Sequence, residues 1–336
     1  MNLPNNIQIE LVEGCNRMCS FCGIHSIWNK KEHMVIKSMS LYLAKKIAVG
    51  LKDWGFISKR IEFAMHGEPT LHKDVVEIIS FYRKTLPKSQ LQLTTNGLEL
   101  IKKGGNFIVE MFNGGLNFLI VDMYTKKEEI EFVCKESGIK IQRYYDENQS
   151  NPYHYNGQAN KIIMLMDDIG ERNGERAARK ILNHAGNSNV DNLKKIGILP
   201  LKSPLVKKCS RPFREIVIHY DGTIPICCLD WRHEFIIGKF PEDGTFAEIW
   251  EGGCFSAVRR LLYDKNRTFR PCYRCDYNGG FRLGLLPQPD EFKNIDLLKI
   301  VSTHIIKNKK YNHPNTVDDI FYKSNQKSFF NCKGKI

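Results

Sequence analysis

Strand-like and helix-like periods alternate along the first half of the chain, and nothing else in the sequence limits the fold as much. Residues 7–12 (IQIELV) read as a strand. The next stretch puts Leu41, Ala44, Ile47, Ala48 and Leu51 on one helical face, with Ser40 as N-cap. RIEFAMHG (60–67) reads as a second strand, and Asp74 opens a helix that Pro87 closes. LQLTTNG (91–97) and LNFLIVDMY (116–124) read as the third and fourth strands, with a helical stretch to Phe112 between them. A helix over 126–137 stops at Gly138, IKIQRYY (139–145) is a fifth strand, and KIIMLM (161–166) is a sixth before a helix over 174–186. Strict alternation predicts parallel β/α construction. No glycine-rich dinucleotide fingerprint follows the first strand. The reading is therefore α/β, a partial (β/α)6 TIM-like barrel over residues 1–190. In barrels the chemistry collects at the C-terminal strand ends, here EGCNRMC, HGEP, TTNG and VDMY.

Near residue 190 the alternation stops. Residues 191–208 read as a linker with two prolines, residues 209–285 as a small cysteine-rich domain, and residues 286–336 as a basic tail. At 42% hydrophobic and 26% charged residues the chain is that of a globular protein. No apolar run reaches the ~18 residues of a membrane span, and MNLPNNIQIE has no signal-peptide pattern. The expectation is a cytoplasmic protein with no membrane contact. In that reducing setting, 11 cysteines, an odd count, point to metal rather than disulfides. The net charge of +13 fits either a partner that is a polyanion or a solvated lysine-rich surface.

Cys15, Cys19 and Cys22 follow the first strand as C-x3-C-x2-C. Three thiols fall one short of a structural zinc site, for which His25 or His33 could supply the fourth ligand. The same three on a [4Fe–4S] cluster would leave one iron free for another ligand.

C-x3-C-x-aromatic-C after the first strand of a β/α domain resembles the radical S-adenosylmethionine (SAM) superfamily. HGEP (66–69) is similar to that family's Gly-Gly-Glu-Pro motif, with His66 in place of the first glycine. TTNG (94–97), VDMY (121–124) and KIIMLM (161–166) match later family positions in order. The resemblance implies that Cys15, Cys19 and Cys22 hold a [4Fe–4S] cluster whose free iron takes SAM. It implies Phe21 near the adenine and Gly67 and Glu68 at the SAM amino group. Asn96 and Asp122 would meet ribose or carboxylate, or serve only as turn formers. An electron from the cluster would cleave SAM to a 5′-deoxyadenosyl radical that abstracts hydrogen from the substrate. The electron would come from a donor such as flavodoxin or ferredoxin.

The second cysteine region reads CSRPFREIVIHYDGTIPICCLDW, then IIGKF, then EIW, then RPCYRC. The DG turn between alternating runs predicts a β-hairpin. The order of pieces resembles the SPASM/twitch extension of radical SAM enzymes. It implies an auxiliary [4Fe–4S] cluster on Cys209, Cys227, Cys272 and Cys275, with a zinc ribbon on the same thiols as the alternative. Cys228 competes with Cys227, because neighbours on a strand face opposite ways.

Cys134 reads as core, Cys254 as a packed small residue, with a hydrogen-atom donor or a cluster ligand as the alternatives, and Cys332 as a thiol in the tail. Arg143 and the run at 172–180 offer charge to an anionic substrate or form ordinary charged faces. No catalytic side chain is assigned. The resemblance leaves the substrate as a peptide or a sugar or aminocyclitol, with a nucleotide or nucleic acid as the alternative. The first strand begins close to residue 1, which weighs against a separate peptide-recognition domain. A zinc-binding nucleic-acid adaptor is the competing reading of another class.

Overall fold

The computed structural model describes residues 3–28, 31–57, 59–143, 161–166, 184–188, 201 and 203–279. Its centre is a seven-stranded parallel sheet. In chain order the strands are β1 (Asn6–Ile9), β4 (Arg60–Phe63), β5 (Gln90–Thr95), β6 (Phe118–Asp122), β7 (Lys140–Arg143), β8 (Ile162–Met166) and β9 (Glu215–Ile218). They lie side by side as β7–β8–β6–β5–β4–β1–β9. Among the described residues β7 and β9 do not pair, so the barrel is partial, as expected.

Two features of that order go beyond the sequence reading. The sixth β/α strand, β8, lies between the fourth and the fifth. All five of its residues (IIMLM) are buried, which suits an interior strand covered on both faces. The KIQR of β7 is only partly buried, which suits an edge. The second addition is β9. It comes from the cysteine-rich region and pairs in parallel with β1, from Asn6 opposite Glu215 to Ile9 opposite Ile218.

The DG turn forms, with His219 N donating to Thr223 O at 2.8 Å. The strands beside it part company: β10 (Thr223–Pro225) pairs antiparallel with β11 (Ile236–Lys239), while β9 joins the main sheet. The antiparallel pair of the small region is thus β10–β11. At the N-terminus the strand expected over 7–12 breaks after Ile9. Val12–Glu13 (β2) turns out to pair with Lys37–Ser38 (β3).

The helices follow their apolar stripes. α1 (Leu41–Asp53) buries Ala44, Ile47, Ala48 and Leu51, and Ser40 Oγ accepts from Leu43 N at 3.1 Å. α2 (Val75–Thr85) buries Val75, Ile78, Ile79 and Tyr82. Asp74 stands at its N-cap, but its side chain makes no capping bond. The stretch before Phe112 splits at Gly104, φ +77°, into α3 (Leu98–Lys103) and α4 (Gly105–Asn113). α5 (Lys127–Glu136) ends at Gly138, φ +66°, as its sequence predicts. α6 (Arg211–Arg214), α7 (Phe246–Glu251) and α8 (Gly253–Tyr263) complete the described set. A Thr245–Glu248 capping box starts α7. Among the described residues no helix is long and apolar enough to cross a membrane.

Candidate active site and its cysteine sets

The C-terminal ends of β1, β4, β5 and β6 meet in a cleft with about 610 Å³ of empty space, open solvent included. Cys15, Cys19 and Cys22 line it together with Phe21, Gly67, Glu68, Asn96 and Asp122. All eight residues expected at the first site therefore share one cavity.

The cysteine loop is pinned to β4 by backbone. Gly14 bridges Gly67, and Glu68 N donates to Gly14 O at 3.0 Å. A Cβ on Gly67 would lie 2.1 Å from Val12 O and 2.5 Å from Gly14 O. Glycine at 67 is a steric requirement of this contact.

Burial pushes the Cys15 and Cys22 thiols up to about 12, and at Cys15 the Glu68 carboxylate adds to the rise. Bare thiols here stay protonated, and a metal is what converts them to thiolates. Donors already face the sulfurs. Arg17 N and Asn96 Nδ2 lie 3.3 and 3.4 Å from Cys15 Sγ, and Arg17 Nε lies 3.3 Å from Cys19 Sγ.

Glu68 is 2% exposed. Its Oε1 accepts from Thr70 N (3.0 Å), Thr70 Oγ1 (2.5 Å) and Thr95 Oγ1 (2.6 Å), while Oε2 accepts from Asn96 N alone (2.8 Å). The carboxylate is fixed on one oxygen and has capacity for a further donor on the other. Phe21 packs 5.4 Å from the Tyr124 ring, and Tyr124 Oη donates to Asp122 Oδ2 at 3.1 Å. Burial lifts the Asp122 carboxyl to about 7, and the charges of Glu68 and Glu62 add to the rise.

The second set lies across β9. Cys209, Cys227, Cys272 and Cys275 are buried, whereas Cys228 is half-buried. Burial raises the Cys227 thiol, and Cys228, Cys272 and Cys275 raise it further, so these sulfurs share one neighbourhood. Cys209 is coupled in the same way to Cys272 and Cys275. Cys228 Sγ instead accepts from Arg211 Nη1 at 2.7 Å and donates to Glu215 Oε1 at 3.7 Å. Cys228 is thus held by Arg211 and Glu215, while it also lies near Cys275, as Cys227 also lies near Arg211.

The spacing of the thiols tests what they can hold. A tetrahedral zinc with Zn–S of ~2.3 Å needs sulfurs about 3.8 Å apart. Among the described residues, the one group with three ligand atoms within 4.8 Å of one another is His66, His219 and His233. Neither cysteine set closes that far. A cubane cluster spaces its ligand sulfurs more widely than a single zinc does.

The remaining candidates fall elsewhere. His33 is exposed, and the side chain of His25 lies outside the described residues. Cys134 is buried in α5 with Ile130 and Val133. Cys254 is half-buried in α8. Arg143 pairs with Glu131. Cys332 and residues 172–180 lie outside the described residues. The structure adds Arg17, Thr70, Thr95, Tyr124 and Trp231 to the site. Three of them sit inside stretches singled out for other residues: Arg17 in the cysteine loop, Thr95 in TTNG and Tyr124 in VDMY. His66, the departure from the family motif, also lines the cleft, and its Nε2 lies 2.9 Å from Cys228 O.

The radical SAM superfamily model matches residues 9–146, and the iron–sulfur cluster-binding SPASM model matches residues 209–276. The chain carries a radical SAM domain and a SPASM region. The first domain implies SAM and a [4Fe–4S] cluster, and the second implies auxiliary iron–sulfur binding. Over 261 residues, 78% of this radical SAM chain and 88% of the relative, it is 22% identical to the S-adenosyl-L-methionine-dependent 2-deoxy-scyllo-inosamine dehydrogenase of Niallia circulans. Over 127 residues, 37% of this chain and 35% of the relative, it is 28% identical to GTP 3′,8-cyclase of Nostoc punctiforme. The solved structure of BtrN in complex with AdoMet and 2-DOIA superposes with a TM-score of 0.60 at 20% identity, covering 82% of this chain and 94% of that one. At that identity the likeness speaks for the fold.

Proposed function

We propose that this chain oxidises a hydroxyl-bearing carbon of a sugar or aminocyclitol by hydrogen abstraction, and that its auxiliary cluster takes up the remaining electron. The observation that carries the substrate class is the match to an aminocyclitol dehydrogenase over 78% of this chain and 88% of the relative. The cyclase match covers about a third of either chain and is the support for a nucleotide substrate, the second reading. When bound, the SAM–cluster pair supplies a 5′-deoxyadenosyl radical, and the rest is the work of the chain's own residues. Cys15, Cys19 and Cys22 would hold the first cluster, with Arg17 and Asn96 donating to the sulfurs. Glu68, fixed by Thr70 and Thr95, would receive the SAM ammonium on Oε2 as a charge-assisted bond. Gly67 would bring the backbone of the same turn to that group. Phe21 and Tyr124 would wall the adenine side, and Asp122 would take a ribose hydroxyl. Cys209, Cys227, Cys272 and Cys275 would hold a closed auxiliary cluster for electrons. A low-potential donor such as flavodoxin or ferredoxin would reduce the enzyme in the cytoplasm.

The test uses the full chain, reconstituted with iron and sulfide, with SAM, a reductant and 2-deoxy-scyllo-inosamine deuterated at its carbinol carbons. Deuterium should appear in 5′-deoxyadenosine. Release of 5′-deoxyadenosine without deuterium would remove the substrate class and keep the cleavage. No release would remove both. Cys227→Ala should lose about four of eight irons, while Cys228→Ala keeps them. Unchanged iron in Cys227→Ala would overturn the auxiliary ligand set.

A further inference from the structure

Three imidazoles meet at the edge of the cleft, which His66 lines. His66 follows β4, His219 follows β9, and His233 precedes β11. The His219 and His233 ring centroids are 3.8 Å apart, and His66 and His219 are 5.3 Å apart. One nitrogen from each ring lies within 4.8 Å of the other two. His66 and His219 are 2% and 0% exposed.

Hydrogen bonds set the ring tautomers. His66 Nε2 meets the carbonyl of Cys228 at 2.9 Å, so that nitrogen carries the proton. His219 Nδ1 meets Glu10 Oε2 at 2.8 Å and carries its proton there. This leaves a lone pair on His219 Nε2, while His66 Nδ1 faces Glu10 Oε1 at 3.5 Å, which places the same carboxylate behind both rings. A carboxylate or carbonyl behind a histidine is the arrangement that aims its other nitrogen at a metal. His219 Nε2 is buried and has no hydrogen-bond partner among the described residues.

Charge points the same way. Glu10 and Glu13 are 1% and 0% exposed, and Lys37 Nζ, 2.6 Å from Glu13 Oε1, balances one of them. Glu13 Oε2 also lies 3.8 Å from His233 Nε2. The Glu10 carboxyl faces His219 Nδ1 at 2.8 Å and His66 Nδ1 at 3.5 Å, so positive charge among the imidazoles, whether a proton or a cation, is favoured there. Three imidazoles with a fourth position open form a donor set that zinc accepts, and imidazole suits other first-row ions as well.

We propose that His66, His219 and His233 hold one divalent transition-metal ion of the zinc class, with Glu10 orienting His219 and the fourth position open to water or a substrate oxygen. The site shares no ligand with either cysteine set and does not depend on the substrate proposed above. The rings need only close from 4.8 Å to the ~3.4 Å nitrogen spacing of a tetrahedral zinc with bonds of ~2.0–2.1 Å.

The experiment takes the full chain with its iron reconstituted, adds Zn²⁺, desalts, and counts both metals. About one zinc per chain should remain beside the iron. His219→Ala and His233→Gln should each lower zinc at least about tenfold with iron unchanged, and Glu10→Gln should weaken zinc affinity by ~10–100-fold. No retained zinc in the wild type, or equal zinc in wild type and both histidine variants, overturns the site. Zinc-edge X-ray absorption on the wild type decides independently of how the variants fold. A shell of nitrogen and oxygen at about 2.0–2.1 Å supports the site, and sulfur at about 2.3 Å overturns it. SAM cleavage, followed on the same samples, reports separately on the proposed activity.

Discussion

Asp122 shows what the cleft does to a single carboxyl. Burial lifts it from 3.8 to about 7, the Tyr124 hydroxyl opposes the lift, and Glu68 and Glu62 reinforce it. Its folded value lies above its unfolded one. Between these values the folded chain keeps a proton that the unfolded chain releases. The stability this proton brings is complete below pH 3.8 and is lost as pH rises to about 7. Asp122→Asn removes that dependence. In the SAM-free chain the variant should gain on the wild type as pH rises from 4 to 7, then hold level. Each tenfold difference in proton affinity between the folded and unfolded chain is worth ~1.4 kcal/mol, and partial exposure of the group reduces the total. Urea unfolding at pH 5 and pH 8 checks it. A wild-type–variant difference that does not change with pH would remove Asp122 as a titrating group. Glu68 is different in kind, because four donors hold it in place.

At the scale of elements, local period was enough to find all six β/α strands, and helices α1, α2 and α5, because burial on one face writes itself into spacing. Lateral order is not a local property. The insertion of β8 between β6 and β7 shows only in comparing IIMLM with KIQR, where an apolar run outranks a half-polar one for the interior place. The splitting of the DG hairpin was illegible for a related reason. A turn fixes the reversal of the chain, not which partner each strand takes afterward. Likewise, the eight residues that the family resemblance named for the first site line one cavity because each lies in a short motif at a strand end. His66, His219 and His233 could not be grouped from sequence, since 162 positions separate His66 from the Cys228 carbonyl that fixes its ring. The strand order makes a measurable claim. In hydrogen exchange, amides of β8 should be protected close to the level of global unfolding. Those of β7, with one partner and partly exposed side chains, should exchange through local opening at least about tenfold faster. Equal protection in the two strands would count against β7 as the edge.

At the scale of the molecule, the two matched regions are joined through the site itself. β9 extends the sheet beside β1, so the second region supplies backbone to the first. Phe240 and Phe246 stack at 4.1 Å and close on Gly50 of α1, where a Cβ would lie 2.7 Å from Phe240. Ser188 Oγ donates to Phe21 O at 2.8 Å and so holds the cysteine loop from outside it. Trp231 is the most direct link. Its ring lies 4.1 Å from that of His66, it lines the cleft, and a Cβ on Gly23 would stand 2.4 Å from its Cε2. The cysteine loop thus rests on a residue from the second region. Trp231→Ala should cost ~3–5 kcal/mol in stability, the usual range for emptying a buried aromatic site. It should also weaken SAM binding by about tenfold or more, ~1.4 kcal/mol, because Gly23 and Cys22 lose the surface that sets their position. The auxiliary iron should stay, since the ring packs on Gly23 and His66 of the first region. Trp231→Phe, which keeps a flat apolar face against Gly23, should recover most of the SAM affinity. Equilibrium dialysis with SAM on reconstituted protein, with iron counted on the same samples, checks all three expectations. If folded Trp231→Ala bound SAM as the wild type does, the two regions would share a sheet without sharing a site.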